Sequence, residues 1–295
     1  MGEVRDAIIL AGGMGTRMLP ASLYAPKEMM PLIDTPVLNH LVWEAAKAGV
    51  SRVHLVVSEE KMEILSRFFQ DDPLLGQGVR DDLPRDSLSL SVKGIEVIPH
   101  IQIEAGGIAD AISAAIDRIK GPFLVLLGDM LMMENHVGPK KSGSEYASGA
   151  SMKLVSVFEE TGLPCVGVYR VNESEVSKYG VVELSEGRIV SISEKPSASE
   201  ALSNYVLCGR YLFPENTSSI LEGFPLSEFG EMQSIFLLSY LIDNGGLNAV
   251  KLDEMEMYDS GDPFSWLKSQ IDHGLRRDDI SEELFEWLSD RLSRI

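Results

Sequence analysis

The chain has 295 residues, enough for one large domain or two small ones around a hydrophobic core. Its 45 acidic and 26 basic residues give a formal net charge of −19 at pH 7. Such a charge repels DNA, RNA and anionic lipid, so we expect neither a nucleic acid nor a membrane as a partner. The 2 cysteines are too few for a disulfide framework or a zinc site, and together with the polar N-terminus they predict a cytoplasmic protein.

The first half of the chain alternates strand and helix patterns. An apolar run at 7–11 is typical of a buried parallel strand, and apolar residues at helical spacing follow at 37–49. Further strands are predicted at 53–57, 95–98 and 123–127, and further helices at 60–69 and 108–119. This alternation predicts an α/β fold with a parallel sheet.

The second half follows a different pattern, and we place a soft boundary near 130–150. Short strands separated by turns are predicted at 166–171, 180–184, 189–193 and 208–213. This α+β half is expected to lie against the parallel half. Within the first half, a segment at 71–91 that is rich in proline, glycine and paired aspartates predicts a surface excursion.

The C-terminal segment has apolar residues four positions apart, at Ile280, Leu284, Leu288 and Leu292, with Trp287 alongside. This spacing predicts an amphipathic helix. Its apolar face either packs on the chain's own core or forms a dimer contact.

A glycine-rich loop directly follows the first predicted strand, with glycines at Gly12, Gly13 and Gly15. Glycines let a backbone approach a ligand closely and turn its N–H groups toward an anion. The Rossmann pattern fails because position 18 is Met18, and the P-loop pattern fails because no Lys-Ser/Thr pair follows. On the glycines alone, a tight turn without a ligand stays an alternative.

Two cations follow the glycines within the same long loop. Arg17 comes directly after them, and Lys27 lies between two prolines that restrict its backbone, Pro26 and Pro31. A restrained lysine and an arginine beside a glycine-rich turn suit a polyphosphate. Either cation alone would more often be a solvated surface charge.

Residues 11–20 and 26–31 together resemble the signature of the sugar-1-phosphate nucleotidylyltransferases, and most closely its uridylyl branch. Later motifs follow in the family's order, so the resemblance covers roughly residues 5–275. It implies a Rossmann-like, mostly parallel sheet of the nucleotide-diphospho-sugar transferase type with an added α+β sugar-binding half. The single domain 1–295 would comprise a nucleotide-binding half at 5–130, a sugar-phosphate-binding half at 150–275 and a C-terminal amphipathic helix at 276–295.

The resemblance assigns nucleotide binding to the glycine loop and to a later turn. Gln102 occupies the place where the family reads the base, and its amide offers a donor and an acceptor to the imide edge of uracil or thymine. The residues assigned to the nucleotide are Ala11, Gly12, Gly13, Gly15, Thr16, Gln102 and Gly107.

Two aspartates are the expected Mg²⁺ ligands. Asp129 follows the predicted strand at 123–127, at the edge of a parallel sheet where ligands gather. By resemblance it binds Mg²⁺ with Asp259, which lies in the family's Asp-x-Gly turn. One or two carboxylates plus substrate phosphates suffice for this ion. By itself, the segment at 259–262 would be read as an ordinary turn.

The sugar phosphate is expected to bind in the second half. By resemblance, Gly180 lets the pyranose lie on the backbone, Glu194 accepts from sugar hydroxyls and Lys195 neutralises the phosphate. An exposed ion pair between Glu194 and Lys195 is the alternative without the other motifs. The implied reaction is attack of glucose 1-phosphate on the α-phosphorus of UTP, with Arg17, Lys27 and Lys195 as the catalytic residues.

Three alternatives stay open. A thymidylyltransferase that uses dTTP has nearly the same site, and the sequence does not fix which hexose phosphate is the substrate. A non-catalytic nucleotide-sugar-binding regulatory protein is the third, because Met130 and the pair Ser234-Ile235 depart from the family's pattern. As members of the family commonly self-associate, we also expect a homo-oligomer.

Overall fold

The computed structural model describes residues 2–65, 83, 92, 94–103, 106–223 and 233–294. The predicted surface excursion at 71–91 lies almost wholly outside these residues. The strands of the described part are β1 (Asp6–Leu10), β2 (Pro31–Leu32), β3 (Thr35–Pro36), β4 (Arg52–Val57), β5 (Glu96–Ile101), β6 (Phe123–Leu127), β7 (Met130–Met133), β8 (Cys165–Arg170), β9 (Gly180–Ser185), β10 (Arg188–Glu194), β11 (Tyr205–Phe213), β12 (Asn248–Lys251) and β13 (Glu256–Asp259). The α-helices there are α1 (Val37–Lys47), α2 (Glu59–Leu65), α3 (Ile108–Ile116), α4 (Ala150–Thr161), α5 (Thr217–Glu222), α6 (Gln233–Asp243), α7 (Pro263–Arg276) and α8 (Ser281–Leu292).

The first half forms the parallel sheet that its strand–helix alternation predicts. Its strands lie in the order β5-β4-β1-β6, and each neighbouring pair is parallel. The order reverses at β1, because β4 pairs with one edge of this strand and β6 with the other. Ligands in open α/β sheets bind at such a switch point, outside the carboxyl ends of the strands. The glycine loop after β1 and Asp129 after β6 both lie there.

The second half extends the same sheet instead of forming its own. β11 pairs antiparallel with β6, and the order continues as β11-β8-β12-β10-β9 to complete a sheet of 9 strands. The pair β8–β12 is parallel, whereas β10 is antiparallel to both of its neighbours. The α/β fold is confirmed, with its parallel pairs concentrated in the first half and mixed pairing in the second.

Helices cover both faces of the sheet. Successive side chains of a strand point to opposite faces, so Ile9 packs in the layer with α1 and α4, and Ile8 packs in the layer with α3, α5 and α6. Burial on both faces explains why β1 and β6 are continuous apolar runs. Among the described helices, none has the length and apolar character needed to cross a bilayer.

The predicted C-terminal helix differs from the structure in its bounds and its burial. Within the predicted segment 276–295, α8 begins at Ser281, because the extended backbone of the buried Arg277 ends α7. Leu284 packs against Gly274 of α7, but none of the residues of α8 is buried. Packing on the chain's own core therefore accounts for only part of its apolar face.

Candidate active site

The glycine loop turns sharply after β1 and presents Arg17 at the switch point. Gly15 has a left-handed φ of 64° and precedes a single 3-10 turn, Thr16–Met18. A Cβ at Gly15 would lie 3.3 Å from the Ser22 side chain and 3.7 Å from Cδ of Lys27, so the loop packs closely against the Lys27 stem. By contrast, a Cβ at Gly13 would meet no atom of the described residues within 4 Å. The loop is therefore tightly packed at Gly15 and open at Gly13.

Lys27 lies at the centre of the site. Its ammonium forms an ion pair with the Asp129 carboxylate, which joins the loop after β1 to the end of β6. Burial disfavours the ammonium, but Asp129 and the neighbouring Glu28 hold the pKa of Lys27 above its ordinary value. The site therefore keeps a charged, nearly buried lysine at the carboxyl edge of the sheet.

The pairing of β7 with β13 brings the two predicted metal ligands together. It places Asp259 opposite Met130, the residue after Asp129, and Ser260 donates from its N–H to the Asp129 carbonyl at 2.9 Å. At Gly261, an added Cβ would lie 2.9 Å from Oδ1 of Asp259, 3.1 Å from Nη2 of Arg17 and 3.6 Å from Oδ2 of Asp129. Both carboxylates and the guanidinium therefore converge on one point.

The same region has the donor set that a divalent cation prefers. Burial raises the pKa of Asp259, and the nearby Asp129 charge adds to this shift although the Gly261 N–H opposes it. A cation would relieve the repulsion between the two carboxylates. No cluster of three or more candidate ligands occurs in the part of the chain that the structure describes. A metal here would therefore need substrate oxygens to complete its coordination, as Mg²⁺ commonly does.

Gln102 lies against the glycine loop. Its Oε1 would be 2.4 Å from a Cβ at Gly12, so this glycine leaves room for the amide. Its Nε2 donates to Oδ2 of Asp110 at 2.7 Å. Gly107 has a φ of 100° and is the N-cap residue of α3. Asp110 therefore orients the amide, a partner that the sequence analysis did not assign.

The predicted sugar-binding residues form a second group, on β9 and β10. Gly180 pairs with Glu194 across these strands, and a Cβ at Gly180 would lie 3.2 Å from Oε2 of Glu194. Lys195 follows with a φ of 44°, and its Nζ lies 3.4 Å from the Glu194 carboxylate. Next to this group, Tyr179 and Asp259 line a cleft of about 530 Å³.

Tyr211 of β11 is buried, and burial raises its pKa. The charges of Glu194 and Asp129 add to this shift, whereas that of Arg210 opposes it. β11 pairs antiparallel with both β6 and β8 and so connects the two halves of the sheet.

The departures from the family pattern are Met130 and the pair Ser234-Ile235, and none of these is among the charged side chains that converge at Gly261. Met130 is buried in β7, and its Sδ would lie 3.1 Å from a Cβ at Gly209, so the side chain packs in the interior. Asp259 supplies the second carboxylate instead. Ser234 and Ile235 lie in the first turn of α6, directly after residues outside the described part.

Three positions close to the site could not be selected from the sequence, because their contacts are with residues distant in the chain. Gly128 allows close packing, since a Cβ there would lie 2.4 Å from the Leu10 carbonyl oxygen. Glu28 and Lys61 form a buried ion pair beneath the site. The sequence gives a signal only for Glu28, an acidic residue inside the motif around Lys27.

The fold is that of an α/β protein with a Rossmann-like parallel sheet. At the switch point of this sheet lie the glycine loop and the charged side chains of Arg17, Asp129 and Asp259. The chain belongs to the Nucleotidyl transferase family, whose sequence profile matches residues 6–265.

Two curated relatives are similar over nearly their whole length. A UTP–glucose-1-phosphate uridylyltransferase of Haemophilus influenzae is 30% identical over 289 residues, which cover 94% of this chain and 95% of the relative. The uridylyltransferase YngB of Bacillus subtilis, of the same description, is 30% identical over 302 residues, covering 99% of this chain and 97% of the relative.

Solved structures share the fold. UDP-glucose pyrophosphorylase from Acinetobacter baumannii superposes with a TM-score of 0.82 at 26% identity, covering 98% of this chain and 100% of the other. A UTP-bound form from the same organism gives a TM-score of 0.81 at 26% identity, covering 97% and 99% of the two chains.

Proposed function

We propose that the protein transfers a uridylyl group from UTP to glucose 1-phosphate, giving UDP-glucose and pyrophosphate. The observation that carries this proposal is the convergence of Arg17, Asp129 and Asp259 at the switch point, with Lys27 held on Asp129. The names of the similar proteins from H. influenzae and B. subtilis, and the UTP-bound A. baumannii structure, support this substrate pair.

The reaction needs no nucleophile from the protein. A phosphate oxygen of glucose 1-phosphate attacks the α-phosphorus of UTP, and the bond between the α-phosphorus and the bridging oxygen breaks to release pyrophosphate. The chain contributes position and charge. Arg17 binds the departing phosphates, and Lys27 and Lys195 neutralise charge around the reacting phosphates.

Mg²⁺ is the cofactor we propose for Asp129 and Asp259, where it would neutralise charge on the triphosphate. Lys27 pairs with Asp129 and would contribute positive charge beside the same phosphates.

The Asp129→Asn variant tests this role. It should lose most Mg²⁺-dependent turnover, by roughly 100-fold in kcat or more, because a carboxylate ligand becomes a neutral amide. Unchanged turnover over a titration of Mg²⁺ would contradict the assignment. Asp243→Asn, at an exposed aspartate at the end of α6, is the matched control.

The two substrates are proposed to bind to different halves of the chain. The glycine loop residues Ala11, Gly12, Gly13, Gly15 and Thr16, with Gln102 and Gly107, bind UTP within the half at 5–130. Gly180 and Glu194 bind the glucose ring within the half at 150–275. We also propose a homo-oligomer, supported by the exposed apolar side chains of α8. The cytoplasmic location stays a prediction.

A matrix of nucleoside triphosphates against sugar 1-phosphates, with pyrophosphate release as the readout, tests the proposal. We expect the highest kcat/KM with UTP and glucose 1-phosphate. Higher turnover with dTTP would identify a thymidylyltransferase, and preference for another hexose phosphate would change the sugar assignment. Binding of nucleotide sugars without any pyrophosphate release would favour the non-catalytic regulatory protein.

A further inference from the structure

A buried lysine outside the assigned site connects the two loops that are proposed to bind the triphosphate. Lys61 lies on α2, and its side chain is 10% exposed. Its Nζ donates to the carbonyl oxygen of Ala11 at 2.6 Å and to Oε2 of Glu28 at 2.8 Å. Ala11 begins the glycine loop, and Glu28 directly follows Lys27.

Glu28 extends the connection to a third loop. Its side chain is 1% exposed, and its Cγ would lie 3.0 Å from a Cβ at Gly128, the residue before Asp129. The pair between Lys61 and Glu28 therefore lies beside the pair between Lys27 and Asp129. A shift of the Lys61 ammonium would be transmitted to all three loops.

A gain in stability does not by itself explain the ion pair between Lys61 and Glu28. Two buried charges lose their hydration, and replacing such a pair by apolar side chains is often neutral or stabilising. The cost is visible at Glu28, because burial raises its pKa despite the nearby Lys61 and Lys27, and its Oε1 has no hydrogen-bond partner among the described residues. By contrast, the bond from Lys61 to the Ala11 carbonyl fixes a backbone atom of the glycine loop, a contact that no apolar residue can replace.

We propose that Lys61 is a positioning residue for the uridylyl transfer, holding the glycine loop and the Lys27 loop at the spacing that the triphosphate requires. The inference rests on the proposed function, because it assigns UTP to these loops. Lys61 touches neither substrate in this scheme and acts through Ala11 and Glu28. Misplacement of catalytic groups by about 1 Å can reduce a rate by about 100-fold.

Two variants separate positioning from folding. Lys61→Met leaves the Glu28 carboxylate buried without its partner, so we expect a lower Tm together with a loss of about 10- to 100-fold in kcat/KM for UTP. The double variant Lys61→Met/Glu28→Met removes both charges, and its Tm should return toward the wild-type value. Because the Ala11 carbonyl still lacks its donor, kcat/KM for UTP should stay low. KM for glucose 1-phosphate should not change, since Gly180 and Glu194 lie on β9 and β10.

The control is Lys153→Met on α4, which removes a lysine from an exposed ion pair with Glu254. It should leave all of these kinetic constants unchanged. Wild-type kcat/KM for UTP in a folded double variant would overturn the proposal and leave the pair a purely structural feature. UTP binding by titration calorimetry provides a readout independent of turnover. If the wild type binds UTP without transferring it, the proposed function fails, whereas weaker UTP binding by the double variant would still support the positioning role.

Discussion

Lys195 has a left-handed backbone conformation, with a φ of 44° directly after β10. A residue with a Cβ is strained in this region by about 1–3 kcal/mol, and such strain is commonest at functional sites. Its N–H donates to the Tyr179 carbonyl at 3.0 Å, so the backbone is held in place. The side chain is 54% exposed, which leaves its ammonium available to a ligand. These features agree with a role in binding the sugar phosphate rather than in a surface ion pair alone.

Replacing this lysine tests that role. For Lys195→Ala we expect kcat/KM for UDP-glucose formation to fall by roughly 100- to 1,000-fold, because a positive charge near the reacting phosphates is lost. Steady-state kinetics with both substrates measures the effect. The matched control is Lys120→Ala, at an exposed lysine between α3 and β6. Wild-type kcat/KM in Lys195→Ala would rule out the proposed contact.

At the scale of elements, α7 connects the site to a cluster of histidines. His273 of α7 is buried, and its Nδ1 lies 3.0 Å from Nδ1 of His136. Burial lowers the pKa of His273 to about 3, and nearby positive charges, including Arg277, add to the shift. Burial similarly lowers the pKa of His40, on α1, to about 4. Both rings therefore stay neutral in the folded chain at pH 5.5.

This cluster predicts a loss of stability in mild acid. Unfolded histidine, with a pKa near 6.5, takes up protons that the folded chain excludes, so the free energy of unfolding falls as the pH drops below this value. Between pH 7.5 and 5.5 the loss should be about 1.4 kcal/mol for each of His40 and His273. Denaturant unfolding at the two pH values measures it, and His273→Gln should remove one such increment. Equal pH dependence in the variant and the wild type would contradict this origin.

At the scale of the whole molecule, the C-terminal helix carries apolar side chains that the other described residues leave exposed. The exposed fractions of Phe285, Trp287 and Leu292 are 64%, 53% and 70%. Exposed apolar side chains grouped on one helix are typical of an interface between proteins. Since Leu284 of the same helix packs inward on α7, we propose that the outward side chains contact a second copy.

We expect light scattering to give a mass that is a multiple of the 32.4 kDa chain. The variant Phe285→Glu/Leu292→Glu should reduce that mass to one chain, because burying two carboxylates without partners is costly. Leu202→Glu replaces a leucine that is 65% exposed elsewhere and should leave the mass unchanged. A wild type that is monomeric at all concentrations would refute the proposed association.

The net charge of −19 also acts over the whole molecule, and Arg17 and Lys27 offset it only locally, beside Asp129 and Asp259. Long-range repulsion of UTP should be strong at about 0.01 M salt, where the Debye length is about 30 Å. It should be weak at about 0.15 M, where the Debye length is about 8 Å. We therefore expect kcat/KM for UTP to rise severalfold over this range at constant free Mg²⁺. Stopped-flow or initial-rate measurements over a salt series check this, and a flat profile would contradict it.

The sequence by itself determined the elements and motifs that depend on local chemistry. The apolar run at β1 and Gly15 after it were predictable, because burial on both faces requires apolar residues and a positive φ favours glycine. The helix at α1 was predictable from its apolar spacing. Lys27 and Asp129 could also be selected, since the motifs around them are short and continuous.

Only the tertiary structure decided which distant residues meet. The pairing of β7 with β13 brings Asp259 beside Asp129 from 130 positions away, and β11 joins the two predicted halves into one sheet. In the sequence Lys61 is an ordinary helix residue, and only the structure shows its contacts with Ala11 and Glu28. The reason is physical: side-chain periodicity reports which face of an element is buried, whereas strand order and long-range ion pairs depend on how the whole chain packs.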